Sequence, residues 1–244
     1  MTGPVGQKCP ECVKKAGTTR VVNARQGFGR PSFETAPVTM TLLAINVAVF
    51  VVRALSVELD NTIFMNFAAA SWLIEGGQIH RVFTAMFLHA GIWHVGLNMY
   101  ALYVLGPTLE RSTKSGPFLM LYIGSGVVGT LVSLIIATGP FVAVGASGAI
   151  FGIFGAWFLQ GYSTRHTPAG NAMFRQMTTL LLINAVIGLS IPQISWQAHL
   201  GGFIGGVLIT YLWRQIPRSP NAARLRTMVG AAVGVAAIGA IWFL

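Results

Sequence analysis

Charged side chains are scarce in this chain. They make up 9% of its 244 residues, whereas about a quarter of the residues of a soluble domain are charged. Acids are the scarcest, with six Asp and Glu against sixteen Lys and Arg. The basic residues lie in short segments between long apolar runs, not in a patch with interleaved aromatics. The composition therefore disfavours a soluble domain and excludes nucleic acid as the expected partner.

Cysteine is also rare, with two residues, Cys9 and Cys12, in the sequence CPEC. This pair is typical of half a zinc knuckle, but a structural zinc ion needs four ligands and no second pair follows. We therefore expect no metal and no cofactor. The favoured interpretation is a remnant or truncated zinc module, and the alternative is a metal shared between two chains. A disulfide is not expected because the segment is predicted to be cytoplasmic.

Long apolar runs are abundant. The chain is 54% hydrophobic, with a mean hydropathy of +0.66. A membrane-spanning helix needs about 20 mostly apolar residues, and continuous runs favour helices over the alternating strands of a barrel. We therefore predict an all-α, polytopic transmembrane bundle of about seven helices. The runs lie near residues 38–56, 92–109, 117–138, 146–160, 175–191, 196–213 and 227–244.

Positive charge orients this bundle. With the N-terminus inside, every Lys and Arg except Arg53 and Arg81 falls on the cytoplasmic side. No signal peptide is recognised. We therefore predict an N-in/C-out, multi-pass protein of the cell membrane. Its predicted divisions are a cytoplasmic tail (1–37), a six-helix core (38–214), and a linker with a seventh helix (215–244). The long outer connection, 57–91, is expected to lie partly in the membrane interface.

Four polar residues fall at one depth of the predicted bundle. Ser147 begins the fourth run, His199 lies about one turn into the sixth, and His94 and Asn98 lie one to two turns into the second. Three runs that cross in the same direction therefore bring these groups to one level. Polar residues inside a membrane are costly and normally face the bundle interior, so a functional site is the default hypothesis.

Small residues recur at four-residue spacing beside these polar groups, which allows close helix contact. If the fourth and sixth helices meet there, Ser147 and His199 come within hydrogen-bonding reach. An imidazole can then take the proton of a serine hydroxyl. No acid lies at that level, so the hydrolase predicted is a Ser–His dyad. The spaced pairs are Gly148 and Gly152, Gly201 and Gly205, and Gly202 and Gly206.

Four motifs in this order resemble the rhomboid intramembrane serine proteases. They are HVGLN (94–98), LGPTLER (105–111), GASG (145–148) and AHLGG (198–202), and the resemblance spans roughly residues 38–214. It implies Ser147 as the nucleophile and His199 as the general base. His94, Asn98 and the Ser147 backbone N–H would donate to the oxyanion.

The resemblance also implies structural roles for other residues. They are Gly145 before the nucleophile, Gly202 in AHLGG, the polar pair Glu110 and Arg111 at the inner end of a helix, and His89, which steadies the first loop. Two positions depart from the family pattern. His80 replaces a tryptophan before Arg81, which puts local loop packing in doubt. Phe151 replaces a tyrosine, and we expect its ring to pack on His199.

The function that the resemblance implies is hydrolysis of peptide bonds in transmembrane protein substrates. The site would open to the extracytoplasmic side, with membrane lipid as the other partner. Two alternatives remain from the residues alone. One is a non-catalytic relative of the same fold that binds transmembrane clients. The other is a small transporter or channel, which the absence of acids near mid-membrane disfavours.

Overall fold

The structure is a computed structural model, and it describes residues 31–191 and 194–244. Cys9 and Cys12 lie outside the described residues. Ser32–Leu244 cluster as one unit. The elements in chain order are α1 (Pro37–Arg53), α2 (Val57–Phe67), β1 (Ala69–Ala70), α3 (Ser71–Glu75), α4 (His80–Thr84), α5 (Ile92–Thr113), α6 (Ser115–Ile136), β2 (Val142–Ala143), α7 (Ser147–Ser163), α8 (Pro168–Ser190), α9 (Trp196–Arg214) and α10 (Ala222–Trp242).

The all-α prediction is confirmed, and each of the seven predicted apolar runs is a helix. Helices α6, α8 and α10 are long and apolar enough to cross a membrane, and α1 is a shorter apolar helix. At about 1.5 Å per residue, the 22 residues of α6 match a hydrocarbon core of about 30 Å. The chain is therefore a multi-pass membrane protein.

Local sequence signals explain where several helices begin. Ser56, Thr167 and Ser195 each accept a hydrogen bond from the backbone N–H three residues further on. These bonds satisfy N–H groups that have no partner inside the helix. Proline occupies the start of α1 and α8, where its missing N–H costs nothing.

Helix α6 lies at the centre of the bundle and packs against α7, α9 and α10. Phe118, Leu121, Tyr122 and Val127 on this helix are fully buried. Gly129 on α6 faces the backbone of α9, and Gly124 faces the backbone of α10, so these neighbours approach closely. The core that supports the site is therefore built around one central helix.

The buried carboxylate of Glu110 fixes the start of α1. Its Oε1 accepts hydrogen bonds from the Val38 N–H at 2.9 Å and the Ser115 hydroxyl at 2.6 Å. Its Oε2 accepts from the Thr39 N–H at 2.8 Å and the Thr39 hydroxyl at 2.7 Å. An acid at a helix N-terminus satisfies free N–H groups and complements the helix dipole. Glu110 therefore ties α1, α5 and α6 together.

We expect Glu110→Ala to lower the free energy of unfolding by about 3 kcal/mol or more, because it leaves buried donors without an acceptor. Glu110→Gln keeps one acceptor oxygen, so its free energy of unfolding should lie between those of the wild type and Glu110→Ala. Thermal unfolding in detergent micelles measures the effect. The exposed Glu75 provides the matched control, since Glu75→Ala removes an acid of the same kind without uncovering donors. Equal unfolding temperatures for Glu110→Ala and Glu75→Ala would contradict the cap.

The outer connection, 57–91, contains more regular structure than the sequence predicted. It forms α2, α3, α4 and a 3₁₀ turn at Ala85–Phe87. Strand β1 then pairs antiparallel with β2, with Ala69 opposite Ala143 and Ala70 opposite Val142. No sequence pattern indicated this pairing, because each strand is only two residues long. It joins the outer connection to the segment that precedes α7.

His80, which stands where the family pattern has a tryptophan, is followed by an arginine that holds the outer connection together. Arg81 is buried and donates to the carbonyl oxygens of Ala68 and Met65, both at 2.9 Å. The ring of His80 lies edge-on to Phe67, with centroids 6.4 Å apart. The arginine therefore satisfies carbonyl groups at the end of α2, and the exposed histidine lies against Phe67.

Helix α10 packs along α6. Gly230 approaches Met120 closely, and Gly124 on α6 lies against the backbone of Gly230 and Gly234. The indole N–H of Trp213 on α9 donates to the Arg226 carbonyl at 2.8 Å. Helix α10 is therefore in contact with both α6 and α9.

Candidate functional site

Gly145 lies where three of the predicted site residues approach one another. Its φ of +125° is one that L side chains rarely adopt. A Cβ at this position would stand 2.7 Å from His94 Nε2 and 3.7 Å from Ser147 Oγ. The Gly145 N–H donates to the Ala85 carbonyl at 2.9 Å. A residue without a side chain is therefore required between the imidazole and the hydroxyl.

Ser147 is the first residue of α7 and is partly exposed. The first N–H groups of a helix have no partner within it, and the helix dipole places partial positive charge there. The backbone at Ser147 can therefore stabilise a negative charge that develops beside its own hydroxyl.

The two predicted glycine rows of α9 face different helices. A Cβ on Gly202 would overlap the Gly148 carbonyl of α7, and one on Gly206 would overlap the Gly152 carbonyl. Gly201 instead faces α6, where a Cβ would lie 2.6 Å from the Val132 side chain. Helices α7 and α9 thus touch backbone to backbone. This contact places the start of α7 beside the start of α9.

His199, the fourth residue of α9, is partly exposed, and its ring stacks on Phe151. The ring centroids are 4.2 Å apart and the planes differ by 10°. Phe151 lies one turn after Ser147 on α7, so the stack holds the imidazole on the same side of the crossing as the hydroxyl. The packing expected for Phe151 is present.

His94 and Asn98 lie one turn apart on α5, and the His94 ring lies beside Gly145. The Ala90 N–H donates to His94 Nδ1 at 3.3 Å, and Asn98 Nδ2 donates to the His94 carbonyl at 2.8 Å. In the described part of the chain, no hydrogen bond joins the Ser147 hydroxyl directly to the His199 ring. Catalytic hydrogen bonds are often long before substrate binds.

His89 is buried beside His94, with ring centroids 5.0 Å apart and planes at 70°. Burial lowers the pKa of the His89 imidazole to about 4, and the neighbouring His94 adds to the effect. His89 is therefore neutral at pH 7.

Glu110 and Arg111 do not pair with each other, although the sequence grouped them. Glu110 caps α1 as described above, and Arg111 donates to the Thr108 hydroxyl at 3.1 Å. The one ion pair among the described residues joins Arg53 to Asp60 at 2.7 Å. No group of three or more His, Cys, Asp and Glu side chains in residues 31–191 and 194–244 is arranged to hold a metal ion.

Sequence reasoning missed the role of Arg53, a buried residue at the end of α1. Its Nη1 donates to the His89 carbonyl at 2.9 Å, while its Nε contacts Asp60. One signal was available: Arg53 and Arg81 are the two basic residues outside the predicted cytoplasmic segments. Both are buried and bind backbone carbonyls of the outer connection.

Comparison with known proteins supports the resemblance seen in the motifs. The rhomboid domain family model matches residues 76–216, more than half of the chain. The rhomboid protease GluP of Bacillus subtilis (strain 168) is 32% identical over 180 residues, 73% of this chain and 34% of GluP. The putative rhomboid protease YdcA of the same organism is 33% identical over 139 residues, 57% of this chain and 69% of YdcA.

A fungal protein gives a similar match. Rhomboid-type serine protease 2 of Emericella nidulans is 30% identical over 167 residues, which cover 67% of this chain and 32% of that protein. The matched region thus spans about a third of GluP and of the fungal relative. With the domain match and the identity to YdcA, the conclusion is that this chain belongs to the rhomboid family.

Proposed function

We propose that this rhomboid-family protein is an intramembrane serine protease that hydrolyses peptide bonds in or near transmembrane segments of other membrane proteins. One observation carries the proposal. The glycine-to-glycine contact of α7 and α9 supports it, because this contact sets the start of α7, which carries Ser147, beside the start of α9, which carries His199. The His94 ring lies beside Gly145, two residues before Ser147. The relatives named as rhomboid proteases support the same activity.

In this mechanism the Ser147 Oγ attacks the carbonyl carbon of the scissile peptide bond. His199 takes the hydroxyl proton as the new C–O bond forms. The tetrahedral intermediate then collapses, and His199 returns the proton to the leaving amine. A water molecule, deprotonated by the same imidazole, attacks the acyl-enzyme. The C–O bond to Ser147 then breaks, His199 returns the proton to the Ser147 Oγ, and the second product is released. The dyad carries out both halves without an acid to orient the imidazole, a task that we assign to the Phe151 stack.

The oxyanion of the intermediate would be stabilised by the N–H of Ser147, by His94 Nε2 and by Asn98 Nδ2. The Ser147 N–H lies at the start of α7, where the helix dipole favours negative charge. Asn98 uses one amide hydrogen on the His94 carbonyl, and the other has no partner among the residues that the structure describes. Removing one such donor from a serine protease costs about 10²–10³ in kcat.

The substrate must present an extended backbone to this site, because a helix shields its own carbonyl groups. We therefore propose transmembrane proteins that unwind readily near the outer face, where weak helix formers such as Gly lower the cost of unwinding. In this proposal the N-terminus is cytoplasmic, the chain crosses the cell membrane seven times, and the site opens to the extracytoplasmic side.

The test uses the purified chain in proteoliposomes with a tagged model transmembrane protein. We expect cleavage, together with covalent labelling of Ser147 by a fluorophosphonate probe located by peptide mass spectrometry. If the folded protein neither cleaves a substrate verified with an active rhomboid protease nor takes up the probe, the proposal fails. A non-catalytic protein that binds transmembrane clients then becomes the better interpretation.

A further inference from the structure

Arg53 reaches the predicted site through a single peptide group. Its Nη1 donates to the His89 carbonyl oxygen at 2.9 Å, and the Ala90 N–H donates to His94 Nδ1 at 3.3 Å. The His89 carbonyl and the Ala90 N–H are the two ends of one peptide bond. A continuous hydrogen-bond chain therefore runs from the guanidinium, through this peptide, to the imidazole.

The direction of these bonds determines the protonation of His94. A backbone N–H can only donate, so Nδ1 must accept with its lone pair. The neutral ring then carries its proton on Nε2. The Nε2 and Cε1 edge of the ring lies 2.7 Å from where a Cβ on Gly145 would stand, and the Ser147 Oγ lies 3.7 Å from the same point. The proton is thus on the nitrogen that faces the site.

The geometry points to Arg53 as a positioning residue for the proposed hydrolysis: through the His89–Ala90 peptide it holds His94 as the Nε2–H tautomer, ready to donate to the oxyanion. The positively charged guanidinium of Arg53, by donating to the His89 carbonyl, polarises the peptide group and strengthens its N–H as a donor. Hydrogen bonds in a chain reinforce one another in this way. The inference rests on the proposed function for its catalytic consequence. The tautomer itself does not depend on activity.

Asp60 holds the guanidinium in place for this role. Arg53 Nε contacts Asp60 Oδ1 at 2.7 Å, and the guanidinium lies 5.7 Å from the centroid of the Phe64 ring. The Arg53 side chain is 8% exposed and that of Asp60 is 45% exposed. The carboxylate, on α2, therefore balances a buried charge while remaining in contact with solvent. The neighbouring ring of His89 carries no charge at pH 7.

Variants at position 53 should fold. The guanidinium borders a cavity of about 120 Å³ that is lined by Phe50, Ala54 and Ala90 among others. A smaller side chain there leaves Asp60 exposed enough to stay hydrated. Arg53→Lys keeps the charge but lacks the planar fork that contacts a carboxylate and a carbonyl together. Arg53→Met removes the charge at similar length.

The experiment is ¹⁵N NMR of histidine-labelled protein in lipid nanodiscs. The chain has five histidines, and His94→Gln assigns the His94 signals. We expect the wild type to show the Nε2–H pattern at neutral pH and Arg53→Met to show a mixture of tautomers. Cleavage assays should show that Arg53→Met lowers kcat by about tenfold, since the oxyanion donor is weakened and not removed. KM should stay within about twofold because the residue does not contact substrate.

Arg81→Met is the matched control. Arg81 is also a buried arginine that donates to carbonyl oxygens of the outer connection. Within residues 31–191 and 194–244, no hydrogen-bond chain leads from it to His94. Its variant should leave the His94 signals unchanged. The inference is overturned if Arg53→Met and Arg53→Lys both keep the wild-type tautomer, or if Arg81→Met shifts it equally. If the wild type cleaves nothing but the tautomer depends on Arg53, the proposed function fails and the structural link stands.

Discussion

Ser147→Ala is expected to lower kcat/KM for a transmembrane substrate by about 10⁴-fold or more, because the acyl-enzyme can no longer form. His199→Ala should cost a similar amount, since the hydroxyl loses the base that activates it. The two residues act as a unit, so the double variant should be no slower than either single one. The measurement is the cleavage rate in proteoliposomes at equal amounts of folded protein.

Ser125 provides a matched control for the removal of a hydroxyl. It is fully buried on α6, near Gly152 of α7, and its hydroxyl has no partner among the described residues. Ser125→Ala should keep both activity and thermal stability, because no hydrogen bond is lost. Residual cleavage by Ser147→Ala at more than about a hundredth of the wild-type rate would exclude Ser147 as the nucleophile.

Gly202→Ala is expected to destabilise the protein and to abolish cleavage. The new Cβ overlaps the Gly148 carbonyl, so α7 and α9 must separate. Overpacking of this kind costs at least about 2 kcal/mol, which corresponds to a fall of roughly 5 °C in Tm for a chain of this size. Activity falls further because the contact sets the separation of Ser147 and His199. Thermal unfolding and cleavage are measured on the same preparation.

Alanine substitutions at two other glycines distinguish the effect of helix packing on stability from the effect of helix propensity. Gly206→Ala meets the Gly152 carbonyl one turn further from the site, so it should lose stability to a similar extent and retain more activity. Gly239 on α10 has open space where a Cβ would stand. Gly239→Ala should be neutral or stabilising, since alanine favours a helix by about 1 kcal/mol. If Gly202→Ala unfolded at the wild-type Tm, the close contact of α7 and α9 at this position would not be needed for stability.

The sequence was sufficient for the features that depend on periodicity. Apolar runs predicted the seven long helices, and counting residues along three of them brought Ser147, His199 and His94 to one level. The glycine spacing predicted close helix contact. It did not show that Gly202 faces α7 while Gly201 faces α6, because adjacent residues on a helix point about 100° apart and either row could have met α7.

Features that depend on long-range contacts could not be predicted. The β1–β2 pair joins Ala69 to Ala143 across two long helices, and strands of two residues leave no pattern. The bond from Arg53 to the His89 carbonyl also depends on how the outer connection folds back. The charge count did mark Arg53 as an exception to the positive-inside bias. A buried arginine with a structural task is one physical reason for such an exception.

The central position of α6 has a consequence for biosynthesis. This helix is translated before α7, α9 and α10, which are its main neighbours. Until they follow, its small-residue faces must remain against lipid or the insertion machinery. We therefore expect the nascent chain to stay protease-sensitive through the synthesis of α7 and α8 and to become resistant once α9 and α10 have docked. Ser147 on α7 and His199 on α9 would then come together only late in synthesis.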